Sequence, residues 1–369
     1  MPVNRIHIDT FLSFNFTLPI IDVRSEGEYA HAHIPGAISL PLFDNEERKI
    51  IGTTYKQESK QKAIKIGLAA FGKKMVDMVE KLDHIFKEGE ANKTVIVHCW
   101  RGGMRSAGVA WLFDLYGYKV YTLVGGYKAF RKWGIQQFDK AYNIQILGGY
   151  TGSGKTYVLH ELQKRNEVAI DLEGLANHKG SAFGKIGMTD QPSQEMFENL
   201  LAIGLWKAEG LCQTKMEQLI IEESEQVKPF IWVEDESQRI GTVNIPTPFF
   251  EQMRTTHVCY LDIPFDQRLK HIIEGYGKAD KETLINAIIR IQKRLGGLET
   301  KNAINSILEN NIADAFAILL KYYDKQYLKG LLKRENVDSF LSKIECDTVD
   351  ANKNAYSILK KLQKQKSDA

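Results

Sequence analysis

Two short stretches of this chain assemble residue types that handle anions. The first is His98-Cys99-Trp100-Arg101-Gly102-Gly103-Met104-Arg105-Ser106, a cysteine that follows an apolar run and precedes a helical pattern. At a strand-to-helix turn, successive backbone N–H groups point into the concavity and form an anion nest at the helix N-terminus. Gly102 and Gly103 permit the dihedrals of so tight a loop. Arg105, six residues after Cys99, adds a fixed positive charge. Together these favour thiolate over thiol, so Cys99 is expected to be a nucleophile near neutral pH.

The second stretch, Gly149-Tyr150-Thr151-Gly152-Ser153-Gly154-Lys155-Thr156, fits G-x-x-x-x-G-K-[ST] in full and lies between a predicted strand and a predicted helix. Backbone amides and the helix N-terminus are expected to wrap a diphosphate. Lys155 would neutralise its outer oxygens and Thr156 would ligate Mg²⁺. A carboxylate should stand nearby at a strand end. Glu234 and Asp235, after the run Phe230-Ile231-Trp232-Val233, are candidates, as are Asp171 and Glu173 after Val168-Ala169-Ile170. The motif reads diphosphate and not base, and no adenine pocket is legible, so ATP and GTP binding stay open.

Short apolar runs alternate with helical patterns around both stretches, which implies parallel α/β sheets. In the first block the strands are Pro19–Val23, Thr94–His98 and Val120–Val124, with a helix from Ser106 to Tyr116 closed by Gly117. In the second they are Ile144–Leu147, Val168–Asp171, Phe230–Val233 and His257–Leu261, with a helix from Lys155 to about Arg165. The expected division is residues 1–141 and 142–369. From about residue 281 onward the pattern is helical and lysine-rich, without a convincing strand.

The 369 residues suffice for two cores, and 43% apolar with 26% charged residues fits a soluble globular protein. Cys99, Cys212, Cys259 and Cys346 show no metal-ligand spacing and read as free thiols of a reducing compartment. The amino terminus lacks an apolar leader and no run approaches the length of a membrane span, so a cytoplasmic protein is expected. A net charge of +3 leaves nucleic-acid binding to local patches.

The first block resembles the rhodanese family: Asp22-Val23-Arg24 with Glu28-Tyr29, then His33-Ile34-Pro35-Gly36-Ala37, and Gly125-Gly126, all in that order. It departs in the loop, where the Cys-x5-Arg count is shared with Cdc25-like and tyrosine phosphatases. A larger loop suits a tetrahedral oxyanion better than the terminal sulfur of thiosulfate, and a phosphatase is the alternative reading. Asp22 is expected to fix an arginine.

A rhodanese-like block followed by a P-loop block resembles the bacterial tRNA 2-selenouridine synthase family over essentially the whole chain. The more specific strings are Asp171-Leu172-Glu173-Gly174-Leu175-Ala176-Asn177-His178-Lys179-Gly180-Ser181 and Phe183-Gly184. Gln191-Pro192-Ser193-Gln194 with Phe197-Glu198-Asn199, and Val233-Glu234-Asp235-Glu236-Ser237 with Arg239-Ile240-Gly241, complete the set. The resemblance implies a transferase without a prosthetic group. It geranylates wobble 2-thiouridine of tRNA from geranyl diphosphate, then replaces S-geranyl with selenium from selenophosphate, which a partner enzyme would supply. It places the catalytic cysteine at Cys99, with Arg101 and Arg105 as candidates for binding selenophosphate. The thiolate is expected to take selenium as Cys–S–Se and release phosphate. His178 and Lys179 are expected to line the prenyl or tRNA site.

For tRNA, Lys321, Lys325, Lys329 and Lys333 recur every four residues, a basic stripe on a helix with Tyr322, Tyr323 and Tyr327 interleaved. Lys128, Arg131 and Lys132 form a second patch, and Lys360, Lys361, Lys364 and Lys366 a solvated tail. The whole reading requires a reachable thiol and a lysine turned into a phosphate-sized hollow.

Overall fold

The computed structural model describes residues 4–86, 93–221, 228–334 and 341–367. The chain divides into two compact α/β units. One comprises Met1–Gln137 with Glu198–Leu200, the other Phe138–Phe197 with Leu201–Ala369.

The first unit is a five-stranded sheet. Its strands are β1 (Asn4–Ile6), β2 (Ile20–Asp22), β3 (Ile38–Ser39), β4 (Thr94–His98) and β5 (Lys119–Leu123), in the order β1-β5-β4-β2-β3. Every pairing is parallel. β2 and β4 are buried nearly throughout, the continuous apolar pattern expected of strands covered on both faces. The following helix, Met104–Tyr116, ends at Gly117 in the left-handed region (φ 109°), a glycine C-cap. Two further helices, Asn45–Gln57 and Lys60–Asp83, start at side-chain caps on Asp44 and Ser59. They lie between β3 and β4 in the chain.

The second unit carries β6 (Ile144–Gly149), β7 (Val168–Ile170), β8 (Ile231–Glu234), β11 (Val258–Asp262) and β12 (Leu341–Glu345), with a small antiparallel pair, β9 (Arg239–Ile240) and β10 (Val243–Asn244). The main sheet runs β12-β11-β6-β8-β7 and is parallel throughout.

β12 corrects the expectation of no strand beyond residue 281. Its sequence carries little strand signal because it is an edge strand with exposed Lys343 and Glu345, and Ile344 is its one fully buried residue. The rest of that region is helical: Lys281–Leu295, Gly297–Leu308, Ile312–Leu331 and Ala351–Ser367. No helix among the described residues is long and apolar enough to cross a membrane.

In both sheets the next crossover from the central strand's neighbourhood runs to the opposite side, so the loops at the carboxyl ends of β4 and β6 open at topological switch points. Such crevices are where open α/β sheets bind ligands.

Candidate active site

Cys99 sits one residue beyond β4, with the helix Met104–Tyr116 beginning five residues later. The loop between them is pressed onto the turn after β5. Tyr127 N donates to Cys99 O (2.9 Å) and Lys128 N to Trp100 O (3.0 Å). The approach is so close that a Cβ on Gly126, itself at φ 57°, would lie 2.2 Å from Cys99 O. The glycine pair after β5 therefore shapes the cysteine loop.

Cys99 is 3% exposed, at the floor of that loop. Its Sγ lies 3.3 Å from Ser106 Oγ, whose hydroxyl is also 3.1 Å from Gly103 O. Burial opposes ionisation of the thiol. The Ser106 hydroxyl and N–H, the Arg105 charge and the Arg101 N–H outweigh it and hold the Cys99 pKa below the ordinary thiol value. The loop is thus polarised for a thiolate, but reagents must enter it to reach sulfur.

Arg105 is paired: Nη1 lies 2.8 Å from Glu28 Oε2, and Arg48 Nε reaches the same oxygen at 2.9 Å. Arg101 is exposed. Asp22 fixes an arginine, as its position suggests. Arg24 Nη2 donates to Asp22 Oδ2 (2.6 Å) and to Ala32 O (2.7 Å), and the guanidinium stacks 3.9 Å from the centre of the Tyr127 ring. His98 is fully buried beside them, and burial lowers its pKa.

In the second unit the helix Lys155–Lys164 starts from Gly154 at φ 72°. Lys155 Nζ curls back across the loop to Gly149 O at 3.1 Å. The Ser153 hydroxyl is buried in the loop without a hydrogen-bond partner, one observation that suits an anion in this cradle. The loop is braced from the other side. Arg268, 3% exposed, donates to Thr151 O (3.1 Å) and forks onto Asp324 (2.8 Å to each oxygen). Gly149 N donates to the Tyr327 hydroxyl, which donates to Asp235 Oδ2 (3.2 and 2.7 Å). Gly152 sits against the Ile272 side chain.

The four expected carboxylates separate into two pairs. Glu173 and Glu234 face the loop: Thr156 Oγ1 donates to Glu173 Oε2 (2.9 Å), and Glu173 N donates to Glu234 Oε1 (2.9 Å). Asp171 instead caps the short helix Leu172–Leu175 and meets His160. Asp235 is bound by Arg334 and Tyr327.

Glu236, quoted in the sequence string but not selected, joins the first pair through a hydrogen bond to Glu173. Gly180, at φ 65°, leaves room for both carboxylates, because a Cβ there would stand 2.6 Å from Glu173 Oε1 and 2.8 Å from Glu236 Oε2. Burial first, then mutual repulsion, pushes Glu234 and Glu236 well above the usual carboxylate range; Glu173 is raised too, chiefly by burial. Glu234 Oε2 is buried without a hydrogen-bond partner.

No cluster of three or more His, Cys, Asp or Glu among the described residues holds a metal by itself. The hard oxygens of Thr156 and Glu173 beside a cradle for phosphate oxygens do fit Mg²⁺, which is usually held by one or two protein groups together with substrate phosphates and water.

His178 is largely buried, packed where Gly184 and Gly241 leave space, and Lys179 Nζ lies 5.2 Å over the Tyr276 ring. Lys321, Lys325, Lys329 and Lys333 are exposed. The tyrosines between them turn inward: Tyr327 to Asp235, Tyr323 to the Ala182 N–H, and Tyr322 against the core. Lys128 and Lys132 are exposed, but Arg131 is occupied, 2.6 Å from Glu198 and 2.7 Å from Asn199. Lys360 and Lys361 lie on the last helix, whereas the side chains of Lys364 and Lys366 fall outside the described residues.

Residues 142–351 match the family described as tRNA 2-selenouridine synthase AAA domain, and residues 12–132 match the rhodanese-like domain. A tRNA 2-selenouridine synthase of Nitrosomonas europaea is 37% identical over 264 residues, 70% of this chain and 63% of that protein. One of Sulfurovum sp. is 34% identical over 343 residues, 84% of this chain and 87% of that protein. Among solved structures, the N-terminal domain of a protein described as ATP/GTP binding from Clostridium difficile 630 is 36% identical. It covers 36% of this chain and 97% of that one, with a TM-score of 0.32.

Proposed function

Because the chain belongs to the tRNA 2-selenouridine synthase family, we propose that it converts wobble 2-thiouridine of tRNA to 2-selenouridine through an S-geranyl intermediate, in the cytoplasm. The observation that carries this reading is the pairing, in one chain, of a polarised Cys99 loop with a lysine-filled diphosphate cradle.

In the first half-reaction the thiouridine sulfur attacks C1 of geranyl diphosphate. The C1–O bond breaks, diphosphate leaves with the electron pair, and the N3 proton goes to solvent. Lys155 and the amides of Gly152, Ser153 and Gly154 stabilise the departing oxygens. Mg²⁺ held by Thr156 and Glu173 would supply further charge neutralisation there.

The second half-reaction requires an electron count. Selenium in selenophosphate is formally selenide on phosphorus(V). Its transfer to a thiolate as Cys–S–Se would leave phosphorus(III), not phosphate, so a Cys–S–Se intermediate with release of phosphate does not balance. The balanced route places the attack at phosphorus. Cys99 Sγ takes the phosphoryl group, the P–Se bond breaks toward selenium, and hydrogen selenide is freed. Hydroselenide then adds at C2 of the S-geranyl base, its proton passes to N3, and geranyl thiol leaves with one proton from solvent. Water then cleaves the S–P bond to return Cys99 and phosphate. The Cys-x5-Arg loop suits this step because it is proportioned for a tetrahedral oxyanion. Arg105 and Arg101 would hold that anion, and a selenophosphate-forming enzyme would be the supplying partner.

Mass analysis of tRNA nucleosides after incubation with geranyl diphosphate and selenophosphate tests the division of labour. Cys99→Ala should still make S-geranyl-2-thiouridine without incorporating selenium, whereas Lys155→Ala should impair geranylation. A Cys99→Ala protein that blocks geranylation alone would overturn it. Rapid quenching should trap a phosphorylated Cys99 lacking selenium's isotope pattern.

A further inference from the structure

A cavity of about 1000 Å³ opens in the first unit between the helices Asn45–Gln57 and Lys60–Asp83 and the start of Met104–Tyr116. The residues lining it are mostly apolar. Leu68, Met104 and Trp111 are 60%, 60% and 51% exposed on it, an unusual gathering of large apolar side chains facing water. Its floor is formed by Leu42, Phe43 and Phe71, which belong to the same packed cluster as Cys99. Four cations, Arg48, Lys49, Lys56 and Arg105, line it and no carboxylate does, although Arg48 and Arg105 both reach Glu28. Of its lining only Arg105 takes part in the two half-reactions, and the apolar trough itself has no role in them.

We propose that the groove is the subsite for the ten-carbon geranyl chain of the S-geranyl base while its C–S bond is broken beside Cys99. The inference rests on the function proposed above and gives that second half-reaction its substrate-recognition surface. Three features select this occupant. An isoprenoid chain has no polar atom to satisfy and so matches an apolar trough of a size typical for small-molecule sites. The cations suit the phosphates of the RNA that carries the chain. Met104 and Arg105, which line the groove, are part of the loop and helix start that follow Cys99. Seating the chain here delivers C2 of the base to the place where selenide is released.

The test compares full-length wild type with Leu68→Asp and Trp111→Asp, two positions whose native side chains are more than half exposed. Substrates are anticodon stem-loop RNAs carrying S-geranyl- or S-methyl-2-thiouridine, turned over with selenophosphate. In wild type the geranyl substrate should be preferred in kcat/KM. In either variant that preference should fall by about tenfold, mainly through KM for the geranyl substrate. An unchanged preference, or an equal loss on both substrates, overturns the groove as the chain's subsite. Should wild type itself convert neither substrate, the proposed function fails instead, so the two failures are distinguishable.

Discussion

The guanidinium of Arg105 is held by Glu28, 2.8 Å from Nη1 to Oε2, although the two lie 77 positions apart in the chain. In a Cys-x5-Arg loop this arginine is the fixed charge expected to meet the incoming anion. Glu28 instead shares it and Arg48, while also closing the Ser25 capping box. An anion brought to Arg105 would therefore compete with a partly buried ion pair.

Glu28→Gln should release that competition. The amide oxygen can still accept from Ser25 N–H, so the helix cap survives. Affinity for selenophosphate, or for vanadate as a tetrahedral probe, should rise by roughly threefold to tenfold, about 1 kcal/mol for a partly exposed pair. Arg105→Ala should weaken it. Calorimetric titration reads both, and unchanged affinity in Glu28→Gln would remove Arg105 from the anion site.

The thiol of Cys99 should alkylate with a pH midpoint below that of an ordinary thiol, because its ionised form is held by Ser106 and the Arg105 charge. Ser106→Ala removes the nearest of these groups, so the midpoint should move up and the rate at pH 7 fall. The absolute rate should be modest even in wild type, since the residue is 3% exposed. Iodoacetamide kinetics across pH 5–10 checks both; a Cys99 inert at every pH would argue against a nucleophile there.

Glu234→Gln should stabilise the unliganded protein. The folded-state pKa of Glu234 is raised, so the folded protein binds its proton more tightly than the unfolded chain does. Wild type consequently loses stability as pH rises from the unfolded value of about 4.5 toward the folded one. The amide variant escapes this and keeps the bond from Glu173 N. Its advantage should be near zero at pH 4.5 and grow to about 1–3 kcal/mol on the alkaline side. Each kcal/mol corresponds to about 2–4 °C in Tm. Thermal melts at several pH values would show a pH-independent difference if the carboxylate cluster were not what raises the pKa.

Gly126→Ala and Gly103→Ala should separate sharply. A methyl at Gly126 meets Cys99 O at 2.2 Å and Gly102 N at 2.6 Å from a left-handed φ, whereas one at Gly103 has nothing within 4 Å. The first should cost more than about 2 kcal/mol and the second under about 1 kcal/mol. Denaturant melts measure the pair. Selenium incorporation should fall in Gly126→Ala more than geranylation does.

Much of this was legible in the residues. The runs that became β2, β4, β6, β8 and β11 are short, apolar and followed by turn chemistry, and they carry Cys99 and Lys155 to the ends of their sheets. The strands β1, β3 and β12 were not legible. At two to five residues, each with an exposed position, they acquire strand character only from the neighbours they pair with. Spacing also suggested four carboxylates near the diphosphate, yet Asp171 serves as a helix cap and Asp235 serves Arg334 and Tyr327, because tertiary partners decide which way a carboxylate turns. The four-residue recurrence placed Lys321, Lys325 and Lys329 outward on their helix as periodicity requires, whereas Lys333 lies beyond the helix end at Leu331. It did not reveal that Tyr327, between them, reaches the P-loop.

That phenol has a practical consequence. It is the post against which the first residue of the diphosphate motif leans, and it stands on a helix 178 positions downstream. A shortened protein ending before Ile312–Leu331 would retain every letter of the GxxxxGKT signature yet forfeit its scaffolding. Anyone trimming this protein to a minimal P-loop core would have to carry the tail along.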